Sequence, residues 1–364
     1  MRIIYDGAIY QEQGAGGTKR YFANLIRRLP PDFEPHLTTC RTPTVTDPSH
    51  QQLHNHRFRR FRPQRFSVRL EKLYFGRVQD SITFDLAHPT YYTLLSQREI
   101  RDYRCPVVIT VWDMIHELYP ELYPSTDFLA RKRRAIEAAD AVICISENTK
   151  RDLLALYRVD EQKVLVTHLA SDLDPSLIQG DERTPARPYF LFVGGRAGYK
   201  NFDGLLSAFA ASASLASELT LCVVGAPFSN AEELRIAQLR LGRRIENYGQ
   251  VSDRQLAALY QRSIALVYPS LYEGFGIPPL EAMQCGAPVI ASNRSSIPEV
   301  VGNAALLVSP HQSGELTEAL LTLSREPALR NSLIDKGFAR ARQFSWDATA
   351  RQTFEVYGRL TKTG

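Results

Sequence analysis

Cysteine is sparse in the 364-residue chain and poorly placed for cross-links or metal. Cys40, Cys105, Cys144, Cys222 and Cys285 are scattered and odd in number, and no pair has the close spacing of a zinc site. Cys144, Cys222 and Cys40 fall in strand-like segments, where a thiol serves as a small buried hydrophobe. Disulfides and structural zinc are therefore not expected. Long apolar runs are missing as well. A run such as 264–268 is far short of the roughly 20 residues that cross a bilayer. Arg2-Ile3-Ile4-Tyr5 begins a strand almost at once, without an apolar segment and small-residue cleavage site, so the expected address is cytoplasmic. No helix-turn-helix, zinc finger or RNA-binding strand signature occurs, and no nucleic-acid partner is expected.

What is present suits a globular α/β protein. The apolar fraction is 44% and the charged fraction 23%, which argues against disorder. A chain of this length suits two domains of roughly 150–200 residues. The net charge of +5 is unevenly laid down: residues 57–77 carry eight Lys or Arg and one acid, Glu71, interleaved with Phe58, Phe61, Phe66 and Tyr74. Such a stretch is either a surface for an anionic membrane or acidic substrate, or a mobile solvated insertion.

Strand-like and helix-like segments alternate. Strands are predicted at 2–6, 33–40, 82–87, 107–112 and 141–146, with helices at 128–139 and 148–157. After a polar, proline-containing linker at 173–187 the alternation restarts. Strands are predicted at 189–193, 219–224, 245–248, 265–269 and 288–291, and helices at 201–211, 229–241 and 278–285. Ser252 with Gln255 three residues on reads as the start of another helix. The expected organisation is residues 1–172 as one parallel-sheet domain, 173–344 as a second, and 345–364 as a helix returning to the first. Ligands of such sheets bind beyond the strand C-termini.

The most informative run is Val267-Tyr268-Pro269-Ser270-Leu271-Tyr272-Glu273-Gly274-Phe275-Gly276-Ile277-Pro278-Pro279-Leu280-Glu281-Ala282-Met283. An apolar strand delivers the chain to a loop where Gly274 and Gly276 allow close approach to the backbone. Pro278 and Pro279 suit a helix's first turn, and its free amides with the helix dipole attract anions. A carboxylate beside an anion site suits sugar or ribose hydroxyls; the alternative is a capping Glu273 and a surface Glu281. Val193-Gly194-Gly195-Arg196 and Tyr199-Lys200-Asn201 form a second strand-to-helix junction, where Arg196 and Lys200 can clamp two phosphates.

These runs resemble the signature of the retaining GT-B glycosyltransferases of family 4, which include bacterial mannosyl-, glucosyl- and rhamnosyltransferases of surface polysaccharides. The resemblance covers the second domain nearly throughout and the first more loosely. It implies a GT-B fold, two Rossmann-like domains facing each other across a cleft. It implies that Glu273 lies near the anomeric centre, that Glu281 holds the ribose, and that Gly274, Phe275, Gly276 and Ile277 lie against sugar and diphosphate. Arg196 and Lys200 match the family's basic pair, with a slightly different Gly-to-Arg spacing. Gln250 and Val251 fall in the loop that carries backbone contacts to the base, and Ser295, Ser296, Pro298 and Glu299 match a stretch packed behind the paired-glutamate helix.

In the first domain the resemblance carries Gly16 and Gly17 of the turn Gly14-Ala15-Gly16-Gly17-Thr18 to the donor phosphates. Asp113 and His116 are the remaining catalytic candidates. The family often has His immediately before this Asp, where this chain has Trp112. His88, Tyr91 and Tyr92 offer a further strand-end cluster. Asp172-Leu173-Asp174 matches the carboxylate pair of metal-dependent transferases only superficially, because it lies in the linker. No metal or other cofactor is expected: a nucleotide-sugar (UDP-glucose first, then GDP-mannose) is a donor substrate. The expected acceptor is a glycan or lipid-linked glycan at the inner face of the plasma membrane.

Overall fold

The computed structural model describes residues 1–11, 16–40, 47–123, 126–215 and 218–361. The chain forms two compact units: Met1–Leu169 together with Trp346–Gly364, and Ala170–Ser345.

The first unit is a parallel sheet with helices between its strands. Its elements are β1 (Arg2–Asp6), α1 (Gly16–Arg27), β2 (Glu34–Thr39), β3 (His54–Arg57), α2 (Gln64–Ser81), β4 (Leu86–Ala87) and β5 (Val108–Val111). Then come α3 (Ile115–Leu118), α4 (Thr126–Ala138), β6 (Ala141–Cys144), α5 (Glu147–Leu156) and β7 (Val164–Val166). The strands run β3-β2-β1-β4 and β5-β6-β7, and a parallel bridge between Ala87 and Val107 joins the two sets. Two expectations change here. Residues 82–85 are the connection out of α2, so the strand predicted at 82–87 contracts to Leu86–Ala87. The basic stretch is no unstructured insertion: α2 buries Ser67, Glu71, Phe75 and Val78 along one face. Glu71 accepts from Arg60 Nε and Nη2 at 2.6 and 2.9 Å.

The second unit is the more regular. Its elements are β8 (Tyr189–Val193), α6 (Phe202–Leu215), β9 (Thr220–Val224), α7 (Asn230–Gln238), β10 (Ile245–Gly249), α8 (Asp253–Gln261) and β11 (Ala265–Tyr268). They continue with α9 (Ile277–Gln284), β12 (Val289–Ser292), α10 (Ile297–Val301), β13 (Leu306–Val308), α11 (Ser313–Arg325) and α12 (Pro327–Ala341). The strand order β10-β9-β8-β11-β12-β13 is the doubly wound arrangement, all parallel. Phe190, Phe192, Leu221, Val223, Val267 and Ile290 form its core beneath α6 and α11. The polar stretch at 173–187 is more than a linker. Buried Glu182 accepts from the Gln179 and Gly180 amides at 2.7 and 2.9 Å and pairs with Arg254 Nε, which fixes the stretch on α8.

The last helix, α13 (Trp346–Thr361), belongs to the first unit. It packs on α1, and buried Tyr357 sets its hydroxyl 2.6 Å from His88 Nδ1 and 3.3 Å from the Tyr5 hydroxyl. Among the described residues no helix is long and apolar enough to cross a membrane, and the five cysteines are free.

Candidate functional site

In a doubly wound sheet the chain leaves neighbouring strands in opposite directions at one point, and a crevice opens there. In the second unit that point lies between β8 and β11, which pair directly. The loops after these strands carry the basic pair and Glu273. They are tied together: the Leu271 amide donates to the Tyr199 carbonyl at 2.7 Å, and Asn201 Nδ2 donates to the carbonyls of Pro269 and Pro310 at 3.2 and 2.9 Å. Asn201 sits in the left-handed region at φ 54°, which ends the short turn carrying Lys200.

Lys200 Nζ donates to both carboxylate oxygens of Glu273, at 2.7 and 2.9 Å, and lies 3.3 Å from the Tyr268 hydroxyl. The two side chains are 17% and 10% exposed, so the pair is largely out of water. Burial pulls the ammonium down, but Tyr268 and Glu273 act the other way and leave it above the ordinary lysine range. Lys200 is a fixed cation here. The Glu273 backbone is clamped from behind: Ser295 Oγ accepts from its amide at 2.9 Å, and Ser296 Oγ reaches the carbonyls of Glu273 and Phe275, each at 2.8 Å.

Gly276, at φ 116°, caps α9, and a Cβ there would stand 2.9 Å from Ile297 Cδ1. Only glycine fits that conformation and that contact. Because Pro278 and Pro279 have no N–H, the backbone donors of the first turn are those of Gly276 and Ile277. Buried Phe275 packs edge-on against Phe344, and Gly274 precedes it half-buried. Glu281, one turn into α9, is buried and accepts from the Tyr260 hydroxyl at 3.0 Å. Burial, then Glu281, pushes Tyr260 well above the usual range and keeps it a donor. A surface Glu281 is thereby set aside. Gln250 is exposed and Val251 half-buried, just after Gly249 at φ 66° ends β10.

Arg196 stands in different company from Lys200. Its guanidinium is held by Glu232, Nε to Oε1 at 2.6 Å, donates to the Pro227 carbonyl at 2.8 Å, and lies over the rings of Phe228 and Phe202. Nη1 is buried without a hydrogen-bond partner. Both N–H groups of Nη1 are unused but enclosed beside Gly225, so they meet a phosphate oxygen only when the side chain shifts. The sequence reading missed Glu232, although Ser229 three residues earlier forms a capping box with it, a pattern visible in the chain. It also missed Tyr260 and Tyr268 as partners of the two glutamates.

In the first unit Gly16 and Gly17 open α1, and a Cβ on Gly16 would meet nothing within 4 Å. Gly14 and Ala15 lie outside the described residues. Asp113 follows β5, with Oδ1 accepting from the Ile115 amide at 3.0 Å. The His116 ring lies against Tyr123 and Phe128, each 4.4 Å between centroids, and burial lowers its basicity. Beneath them Lys132, 1% exposed, donates to the Asp113 carbonyl at 2.7 Å and to Glu117 at 2.9 Å. That buried cation fixes the loop and had no signal in the sequence. Trp112 packs edge-on against Tyr21 at 5.1 Å. His88 is no strand-end ligand: it is fully buried, with Nδ1 engaged by Tyr357 and Nε2 2.8 Å from Thr110 Oγ1.

Comparison with known proteins adds to this geometry. Residues 15–174 match the family described as Glycosyltransferase Family 4, and residues 177–340 match Glycosyl transferases group 1. The chain is 29% identical over 265 residues to O-antigen chain mannosyltransferase B of Escherichia coli, covering 69% of each. It is 30% identical over 312 residues to the MMP alpha-(1->4)-mannosyltransferase of Mycolicibacterium hassiacum, covering 81% of this chain and 74% of that one. A solved structure of sucrose-phosphate synthase from Thermosynechococcus elongatus superposes with a TM-score of 0.76 over 100% of both chains at 22% identity, a likeness of fold.

Proposed function

The chain belongs to the GT-B glycosyltransferases of family 4 (group 1), and from that premise we propose that it transfers mannose from a nucleotide-sugar to a glycan or lipid-linked glycan with retention of configuration. The observation that carries the reading is the desolvated Lys200–Glu273 pair at the β8/β11 switch point, beside a glycine-capped helix start. Both relatives named above are mannosyltransferases, so GDP-mannose moves ahead of UDP-glucose as the donor.

The donor diphosphate lies against Lys200, the Nη1 N–H groups of Arg196 once that side chain shifts, and the amides of Gly276 and Ile277. These cations and dipoles oppose negative charge where it grows as the sugar C1–O bond breaks. They do so without a metal ion. Glu273 faces the sugar near C1, and Glu281 holds the ribose. The acceptor hydroxyl attacks C1 from the leaving-group side and passes its proton to the departing phosphate oxygen. Glu273 then orients and stabilises without becoming a covalent nucleophile. Asp113 and His116 serve the acceptor, and Gly16 and Gly17 serve the donor phosphates.

Membrane attachment through α2 completes the proposal. Phe66, Leu70 and Leu73 recur at helical spacing and are 65%, 49% and 51% exposed, and Phe61 joins them. Arg59, Arg62, Arg65, Arg69 and Arg77 are exposed around them. An apolar strip framed by cations fits the inner face of an anionic bilayer, where the acceptor resides. Arg60 is committed to Glu71, so the variant that tests this face is Arg59/Arg62/Arg65→Ala. Salt-sensitive vesicle sedimentation lost in that variant supports the contact, and equal partitioning overturns it. The central reading is tested by calorimetry with GDP-, UDP-, dTDP- and ADP-sugars, followed by transfer assays with chelator present. Selective micromolar binding is expected, and binding of none of them would overturn it.

A further inference from the structure

Away from the β8/β11 switch point, three imidazoles stand together at the edge of the first unit's sheet. β3 is the outermost strand and runs parallel to β2, with His36 opposite His54 and Thr38 opposite His56. Alternate residues of a strand share a face, so Glu34 and His36 of β2 lie on one side with His54 and His56 of β3. The His36 ring is stacked between the other two, 4.6 Å from His54 and 5.2 Å from His56. His36 Nδ1 lies 2.9 Å from His56 Nε2, whereas His36 Nε2 is buried with no hydrogen-bond partner. One ligand atom from each of Glu34, His36 and His54 lies within 4.8 Å of the others.

We propose that Glu34, His36 and His54 bind one divalent ion of the zinc class, and that His56 positions the His36 ring. Two imidazoles and a carboxylate are the donor set that such borderline ions take, and three protein ligands leave a fourth place for water. A metal-bound imidazole ordinarily donates its other ring N–H to a neighbour, which fixes its tautomer. His36 has that arrangement in the tautomer whose Nδ1–H donates to His56 Nε2, which leaves the lone pair of Nε2 for the ion. Glu34 also accepts from Arg2 Nε at 3.1 Å through Oε2, and the ion shares that carboxylate with Arg2. The ion ties the edge strand β3 to β2. It takes no part in the chemistry proposed for Lys200 and Glu273, so it stands or falls independently of that reading.

The test uses the tag-free full chain, stripped with chelator and dialysed against Zn²⁺. One equivalent is expected to remain bound. Trp112 and Trp346 both lie in the first unit, so tryptophan fluorescence follows its melting. Its Tm should rise by about 5 °C at a zinc concentration 100-fold above Kd. His54 is exposed and Glu34 half-exposed, so His54→Gln and Glu34→Gln fold and isolate the ligands. Loss of the bound equivalent and of the Tm rise in His54→Gln, with weaker binding in Glu34→Gln, is the expected result. His56→Phe should weaken binding by about tenfold or more. Absence of stoichiometric zinc in the wild type, or undiminished binding in either ligand variant, overturns the proposal and leaves the three rings as packing.

Discussion

Replacing Lys200 by alanine leaves the Glu273 carboxylate, 10% exposed in the intact pair, without its cation. Breaking a buried pair from one side costs about 3–5 kcal/mol, because the remaining charge stays desolvated. The residual exposure and the nearby Tyr268 hydroxyl ease that cost, and about 3 kcal/mol is a fair expectation. For a unit of this size 1 kcal/mol moves Tm by about 2–4 °C, so the second unit's transition should fall by roughly 6–12 °C. Scanning calorimetry is the right assay, since that unit contains no tryptophan. Adding Glu273→Gln to the same chain removes the stranded charge and should restore most of the lost stability. Donor affinity should not return with it. A charge-assisted hydrogen bond to phosphate contributes about 1.5–3 kcal/mol, so both variants should bind donor roughly 10–100-fold more weakly by calorimetric titration. A single variant as stable as wild type would mean the pair is not desolvated in solution. A double variant with wild-type affinity would remove Lys200 from the diphosphate site.

Glu273→Gln alone should keep much of the donor binding while sharply lowering initial rates of transfer, and a wild-type rate would take it off the catalytic list. Gly276→Ala forces a side chain into φ 116° and against Ile297, at about 1–3 kcal/mol. It should lower both the second unit's Tm and donor affinity, whereas Gly195→Ala, with open space around it, should change stability little; equal effects would contradict the conformational argument. His88 is pushed down to about 3 by burial. A depressed folded value means its contribution is present above the unfolded value of about 6.5 and is lost as pH falls toward 3. Urea melts followed by tryptophan fluorescence should show the first unit losing about 2 kcal/mol from this group between pH 7 and 5. His88→Gln should flatten that slope, and an unchanged slope would assign the acid lability elsewhere.

How far the chain could be read in advance varied with the kind of signal. Strands buried on both faces, such as Tyr189–Val193, announce themselves as apolar runs, and the second unit's alternation was legible almost element by element. α2 was not. Its outward face carries Phe66, Leu70 and Leu73 among arginines, so the apolar residues lie on both sides and the helical period is blurred. At the site, Glu273, Glu281 and Lys200 were legible as residue types beside glycines and prolines. The bond between Lys200 and Glu273 was not, because 73 residues separate them and only the strand order brings them together. Glu232 had a local signal in its capping box, but its hold on Arg196 is again a long-range contact. Lys132 had none. A basic residue in a charged helix looks solvated until the fold encloses it.

The path of the chain through its two units has a consequence for synthesis. Residues 1–169 emerge first, yet the unit they build is finished only by α13, which begins at Trp346. Until that helix arrives, His88 has no Tyr357 hydroxyl to meet, and the face of α1 that receives α13 stays open to water. The second unit, 170–345, is meanwhile complete as soon as Ser345 has left the ribosome. Domains ordinarily fold in the order in which they are made; here the half that comes out first must wait for the half that comes out second. A chain cut short before Trp346 would carry a finished second unit joined to an unfinished first one, with buried apolar surface exposed for proteases and chaperones to find. Helix α13 thus acts as a seal on translation: only a chain read through Thr361 closes the first unit.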